Sequence, residues 1–99
     1  MITSKQRAYL RSMANTLKPT HQIGKNGVTD SVIAELNEAL EAHELIKITL
    51  LESAMMSSKE CAAELAEGLG AEIVGVIGFK ITIYRRASKD ENVKIELPE

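Results

Sequence analysis

The segment of this 99-residue chain best suited to chemistry is Gly24-Lys25-Asn26-Gly27. Glycine admits backbone angles closed to other residues and lets a second backbone approach closely. The tetrapeptide stands just before Thr29-Asp30, which reads as a helix start, where unbonded amides point outward with partial positive charge. Those amides, the flexible ammonium of Lys25 and the carboxamide of Asn26 together suit a phosphate oxygen. Taken alone, Gly-x-x-Gly is equally an ordinary tight turn. The Walker spacing and terminal Lys-Ser/Thr pair of a P-loop are missing.

Charge around the loop is sorted along the chain. The first 29 residues hold five bases (Lys5, Arg7, Arg11, Lys18 and Lys25) and no acid. Residues 30–79 hold ten acids against two bases, Lys47 and Lys59, and residues 80–89 carry Lys80, Arg85, Arg86 and Lys89 with no acid. A net charge of −2 conceals this asymmetry. Such sorting implies one cationic surface facing a polyanion and a solvated acidic surface elsewhere, and so a nucleic-acid binding module. Arg7 and Arg11 share one stripe of a basic first helix, and Lys18 extends it. His21, Lys80 and Arg85 are further candidates for phosphate contact. Tyr9, Phe79 and Tyr84 are the only aromatics, which argues against a broad stacking platform.

Other residue types exclude other functions. Cys61 is the sole cysteine, so neither an intrachain disulfide nor a cysteine zinc site is expected, and a lone thiol suits a reducing cytoplasm. No apolar run approaches the ~18 residues of a membrane span, and the N-terminus lacks the apolar core of a signal peptide. His43 falls on an apolar helix arc and reads as packed. Glu35, Glu38 and Glu41 read as a solvated face. No nucleophile, base and orienting group assemble, so neither catalysis nor a cofactor is expected.

The elements that must hold the loop follow from caps and periodicity. Thr3 and Gln6 form a capping box for a helix with Tyr9, Leu10, Met13 and Leu17 on one side. Thr20 to Ile23 is a short strand. Thr29 caps a second helix burying Val32, Ile33, Leu36, Ala39 and Leu40. Leu45 to Leu51 is an apolar strand with Lys47 and Thr49 at alternating positions. Ser57 and Glu60 open a third helix, with Cys61, Ala62, Leu65 and Leu69 buried and Gly68 and Gly70 as stops. Glu72 to Ile77 and Phe79 to Arg85 form a hairpin about Gly78, in which Phe79, Ile81 and Ile83 alternate with Lys80, Thr82 and Tyr84. The fold class is α/β, in the order α-β-α-β-α-β-β, with a mixed sheet and helices on one face. Residues 1–86 form one domain, and residues 87–99 a loosely ordered polar tail, with a weak edge strand over Val93, Ile95 and Leu97 as the alternative.

Several segments resemble one family in the expected order: Arg7-Ala8-Tyr9-Leu10-Arg11-Ser12-Met13-Ala14, Ile23-Gly24-Lys25-Asn26-Gly27-Val28-Thr29, Ala39 through Lys47, and Ile77-Gly78 through Arg85. The chain resembles the CRM domain (chloroplast RNA splicing and ribosome maturation), and in particular its bacterial single-domain YhbY-like members. The resemblance implies an open-faced sandwich of four strands with helices packed on the sheet, similar to the C-terminal domain of translation initiation factor three. It implies RNA binding through Gly24, Lys25, Asn26 and Gly27, and association with rRNA in pre-50S ribosomal particles. The loop is also similar to that of KH domains as a device, although there a helix precedes it. Neither DNA nor membrane is an expected partner, and a monomer is expected. Two other classes stay open at this point. One is a protein-interaction adaptor using the acidic helix face or the polar sheet face. The other is a small phosphate-handling enzyme in which His21 moves a proton.

Overall fold

In the computed structural model, which describes residues 2–99, each α-helix starts where a side chain can receive its first amides. Helix α1, Ser4–Ala14, opens on the complete Thr3–Gln6 capping box. Helix α2, Asp30–His43, opens on the Thr29 hydroxyl, which accepts from the Val32 amide at 3.2 Å. Helix α3, Ser58–Leu69, opens on Ser57, which accepts from the Glu60 amide at 3.1 Å. Gly70 ends α3 at a φ of 62°, the left-handed cap that glycine takes without steric cost. Gly68 is not a stop but lies inside α3. A Cβ there would come within 2.8 Å of Ile33 Cδ1, so the glycine lets α2 and α3 cross closely.

The strands are β1 (His21–Ile23), β2 (Leu45–Leu50), β3 (Glu72–Ile77) and β4 (Lys80–Tyr84). Their spatial order is β1-β2-β4-β3, with β1 parallel to β2 and β4 antiparallel to both neighbours. The fold is thus α/β with a four-stranded mixed sheet, an open-faced sandwich. Strand alternation divides the apolar residues between two faces. Ile46, Ile48, Leu50, Ile81 and Ile83 pack with Leu36, Leu40, Leu65 and Leu69 in the main core beneath α2 and α3.

The other face is apolar only at one end, where Leu45, Val74 and Tyr84 cluster with Leu10 and Ala14 of α1. Helix α1 therefore lies across the sheet from α2 and α3, where sequence reasoning had put every helix on one face. Tyr84, expected on the polar face, is buried with Leu45 and Val74 against α1. The contact is narrow: Leu10 is fully buried, while Tyr9 stays 43 % exposed and Leu17 38 %. A register shift in β3 between Ile73 and Gly75 lets Val74 drop into this second cluster.

The tail expected to be loose is anchored. Glu44 is fully buried, and its carboxylate accepts from the amides of Ala87 (2.8 Å), Lys94 (2.7 Å) and Ile95 (2.9 Å). Its neighbour Glu41 accepts from the Ser88 amide and hydroxyl, the Lys89 amide and the Asn92 carboxamide. Ile95 and Leu97 then pack beside α1 without forming a strand. Glu44 takes a φ of 65° to serve this purpose, a conformation costing about 1–3 kcal/mol for a residue with a side chain.

Candidate nucleic-acid interface

The loop after β1 is a closed turn. The Gly27 amide donates to Gly24 O at 2.8 Å with Gly27 at a φ of 66°, and the Leu51 amide donates to Ile23 O at 2.8 Å to fix the loop's root. That removes the Gly27 amide from any ligand. The Lys25 and Asn26 amides donate to no other described residue, and both side chains are exposed. The turn therefore offers two main-chain amides, the Lys25 ammonium and the Asn26 carboxamide, one main-chain amide fewer than an open loop would.

The cations that share one surface stand on the sheet or against it. On the face that α1 leaves uncovered, Thr49 pairs with Lys80 and Lys47 with Thr82 across β2 and β4. The Lys80 ammonium donates to Thr49 Oγ1 at 3.1 Å. Arg11 reaches this face from α1, lying over Gly75 and donating from Nη2 to Val74 O at 3.3 Å. Arg11, Asn15, Lys47, Lys80 and Thr82 line a depression of about 170 Å³. A second depression of about 450 Å³ adjoins it through Lys47 and includes Lys18, His43 and Lys94. Among the described residues, no carboxylate lines either one. Lys47 was not a candidate from sequence, yet it links the two. The available signal was its alternation with apolar residues in β2, which set it opposite the core.

The loop leaves the same end of the sheet at which Lys80 pairs with Thr49. Two strand spacings, about 10 Å, separate β1 from β4. Lys25 and Lys80 thus stand at the same end of the sheet, and Arg11, Lys47 and Lys18 line the depressions on its open face.

Three predicted contact residues are not brought to this surface. Arg7 donates from Nε to Ile73 O at 3.1 Å, along β3, at the sheet edge farthest from the loop. Arg85 was expected beside the polar face of the hairpin but is directed at the helices instead. It donates to Asn37 Oδ1 (2.6 Å), Leu69 O (2.9 Å) and Asn37 O (3.1 Å), tying the end of α3 to the middle of α2. His21 pairs in register with Ile48 on the core side of the sheet and lies 3.6 Å from Glu35. His43, expected in the core, is exposed at the end of α2.

Two glutamates at the end of α2 are engaged by the tail. Hydrogen bonds from Asn92 and Ser88 hold the Glu41 carboxyl down at about 2. Burial would raise the Glu44 carboxyl, but the Ala87, Lys94 and Ile95 amides and the Arg86 charge outweigh it and lower it. With Glu41 engaged by the tail, the acidic helix face is reduced to residues such as Glu35 and Glu38. Among the described residues, no group of three or more His, Cys, Asp or Glu is placed to hold a metal ion. None of their helices is long and apolar enough to cross a membrane.

A sheet with one open cationic face and a glycine turn at its edge defines a class of binding domain. Residues 2–85 match the model of the CRS1 / YhbY (CRM) domain, and the chain belongs to that family. It is 42 % identical over 98 residues to the Probable RNA-binding protein YqeI of Bacillus subtilis, covering 99 % of this chain and 100 % of that one. It is 32 % identical over 97 residues to a Haemophilus influenzae protein named RNA-binding protein, covering 98 % and 95 % of the two chains. The solution structure of a hypothetical protein from Staphylococcus aureus superposes with a TM-score of 0.80 at 41 % identity, covering 99 % of this chain and 100 % of that one.

Proposed function

We propose that this protein is a cytoplasmic RNA-binding factor for maturation of the large ribosomal subunit, gripping rRNA backbone with its open sheet face and the Gly24–Gly27 turn. It is a binding module rather than an enzyme. One observation carries the reading: Arg11, Lys47 and Lys80 share an uncovered surface whose lining includes no carboxylate. Lys18 and Lys25 extend it to five cations, enough to follow a sugar–phosphate chain. Phosphate contacts position a protein without reading sequence, so the shape of the RNA or its neighbouring proteins would select the target. Family membership and the RNA-binding names of the relatives support the same reading.

Neutralising about five phosphates gives a slope of log affinity against log salt near −3.5 to −4.5. Fluorescence anisotropy on a structured rRNA fragment measures it. Lys47→Ala should flatten the slope by about 0.7–0.9. In a sedimentation gradient the tagged protein should travel with large-subunit precursors, and the Lys47→Ala, Lys80→Ala double variant should not. Salt-independent binding, or a double variant that still co-sediments, would refute the reading.

A further inference from the structure

The larger depression differs in chemistry from the rest of the open face. Its volume of about 450 Å³ falls within the range of about 300–1,000 Å³ usual for small-molecule sites. Met13, Leu17 and Ile95 give it apolar walls, while Lys18 and Lys47 supply ammonium groups; the Lys94 ammonium donates to Ala42 O at 2.7 Å. Leu17 stays 38 % exposed here because α1 ends at Ala14, before the helical spacing from Leu10 could bury it. The wall carrying Lys94 and Ile95 is held in place, because both amides donate to Glu44 Oε1, at 2.7 and 2.9 Å. An apolar slot rimmed by cations suits a group that is flat and poorly hydrated at one end and anionic at the other.

On the basis of the RNA-binding reading, we propose that this pocket receives one unstacked nucleotide of the RNA strand, its base between Leu17 and Ile95 and its phosphate toward Lys18 and Lys47. Lys47 also lines the smaller depression, so the strand leaving the pocket continues directly onto Arg11 and Lys80. The pocket thereby adds a requirement that a phosphate track lacks. A paired base cannot enter it, and bound RNA must offer a loop, bulge or end.

The test compares a single-stranded oligoadenylate with an abasic oligomer of the same length, using the full chain and Leu17→Ser. Leu17 is partly exposed, so the variant should fold, and matching urea midpoints check this. The wild type should favour the oligoadenylate by at least about fivefold, the preference supplied by removing roughly 40 Å² of apolar base surface from water. Leu17→Ser should lose that preference and keep the salt slope, because no cation is removed. In nuclear magnetic resonance titrations AMP should shift the Leu17, Ile46 and Ile95 amides, and the oligoadenylate should displace it. A salt-dependent wild type with no base preference overturns the pocket and spares the RNA reading, whereas salt-independent binding of both oligomers overturns both. Full base preference in Leu17→Ser, or AMP that RNA does not displace, also overturns the pocket.

Discussion

Glu44→Gln isolates the device that fastens the tail to the domain. In the wild type, Oε1 accepts two amides and Oε2 one, all at 2.7–2.9 Å, in a fully buried setting. Glutamine keeps the shape but replaces one acceptor with an NH₂ group. Whichever way the amide turns, at least one of the Ala87, Lys94 and Ile95 donors then meets another donor. An orphaned buried N–H costs about 1–3 kcal/mol, and the surviving bonds fall from charge-assisted strength to about 0.5–1.5 kcal/mol each. The total loss is at least about 2 kcal/mol, a large part of the roughly 5–15 kcal/mol typical of a whole domain. Thermal melting should show it as a Tm lowered by about 10 °C or more.

The pH dependence carries a second check. The folded Glu44 carboxyl lies below its ordinary value of 4.5, so its stabilisation is complete above that pH and fades as pH falls through the folded value. The stability gap between wild type and variant should therefore close in acid. Hydrogen exchange at Ala87, Lys94 and Ile95 should accelerate in the variant at neutral pH. A loss below about 0.5 kcal/mol, well under one buried hydrogen bond, would refute the clamp. So would a gap that stays constant with pH.

Three further outcomes follow from the same contacts. Arg85→Ala should destabilise by about 1.5–3 kcal/mol through the lost charge-assisted bonds to Asn37 and Leu69 while leaving the salt slope of RNA binding unchanged, read by urea denaturation and anisotropy. The Glu41 carboxyl is held at about 2 against an ordinary 4.5, so its anchoring of the tail is complete above 4.5 and lost as pH falls toward 2; wild-type exchange at Ser88 and Lys89 should rise across that interval and Glu41→Gln should remove the dependence. Burial, with Glu64 adding to it, pushes the buried Cys61 thiol up to about 11, so a thiol reagent at pH 8 should modify it only at the rate of unfolding, and fast labelling of folded protein would contradict that.

How much of this was legible in the sequence depended on the range of the interactions involved. Caps at Thr3, Thr29 and Ser57 are local, between residues three apart, and all three helices begin where the caps put them. Alternation in β2 and β4 was equally visible, and it supplied the core face of Ile46, Ile48, Ile81 and Ile83. Strand order was not. It decides that Arg7 and the Gly24 turn sit at opposite sheet edges, although both belong to the basic first quarter of the chain. Glu44 was equally opaque, because a carboxylate at a helix end reads as solvated until residues 87–95 return to it. Arg85 looked like a surface cation, since nothing local announces that Asn37 and Leu69 will face it.

The open face owes its position to the point where apolar residues run out on one side of the sheet. Leu45, Val74 and Tyr84 attract α1, and beyond them Lys47, Gly75 and Thr82 give it nothing to bury. The helix ends at Ala14, and the cations past it stay in water. Because side chains alternate, Lys47 faces outward as the counterpart of Ile46 and Ile48 facing inward, each worth about 1.5–3 kcal/mol when buried. A one-residue slip of β2 would bury the ammonium and expose both isoleucines. The same energy that forms the core therefore fixes Lys47 toward the open face, on a central strand rather than a loop. Its companions Lys80 and Thr82 are set by the same rule in β4, so the sheet fixes where all three side chains leave the backbone, while the lysine stems stay flexible beyond it.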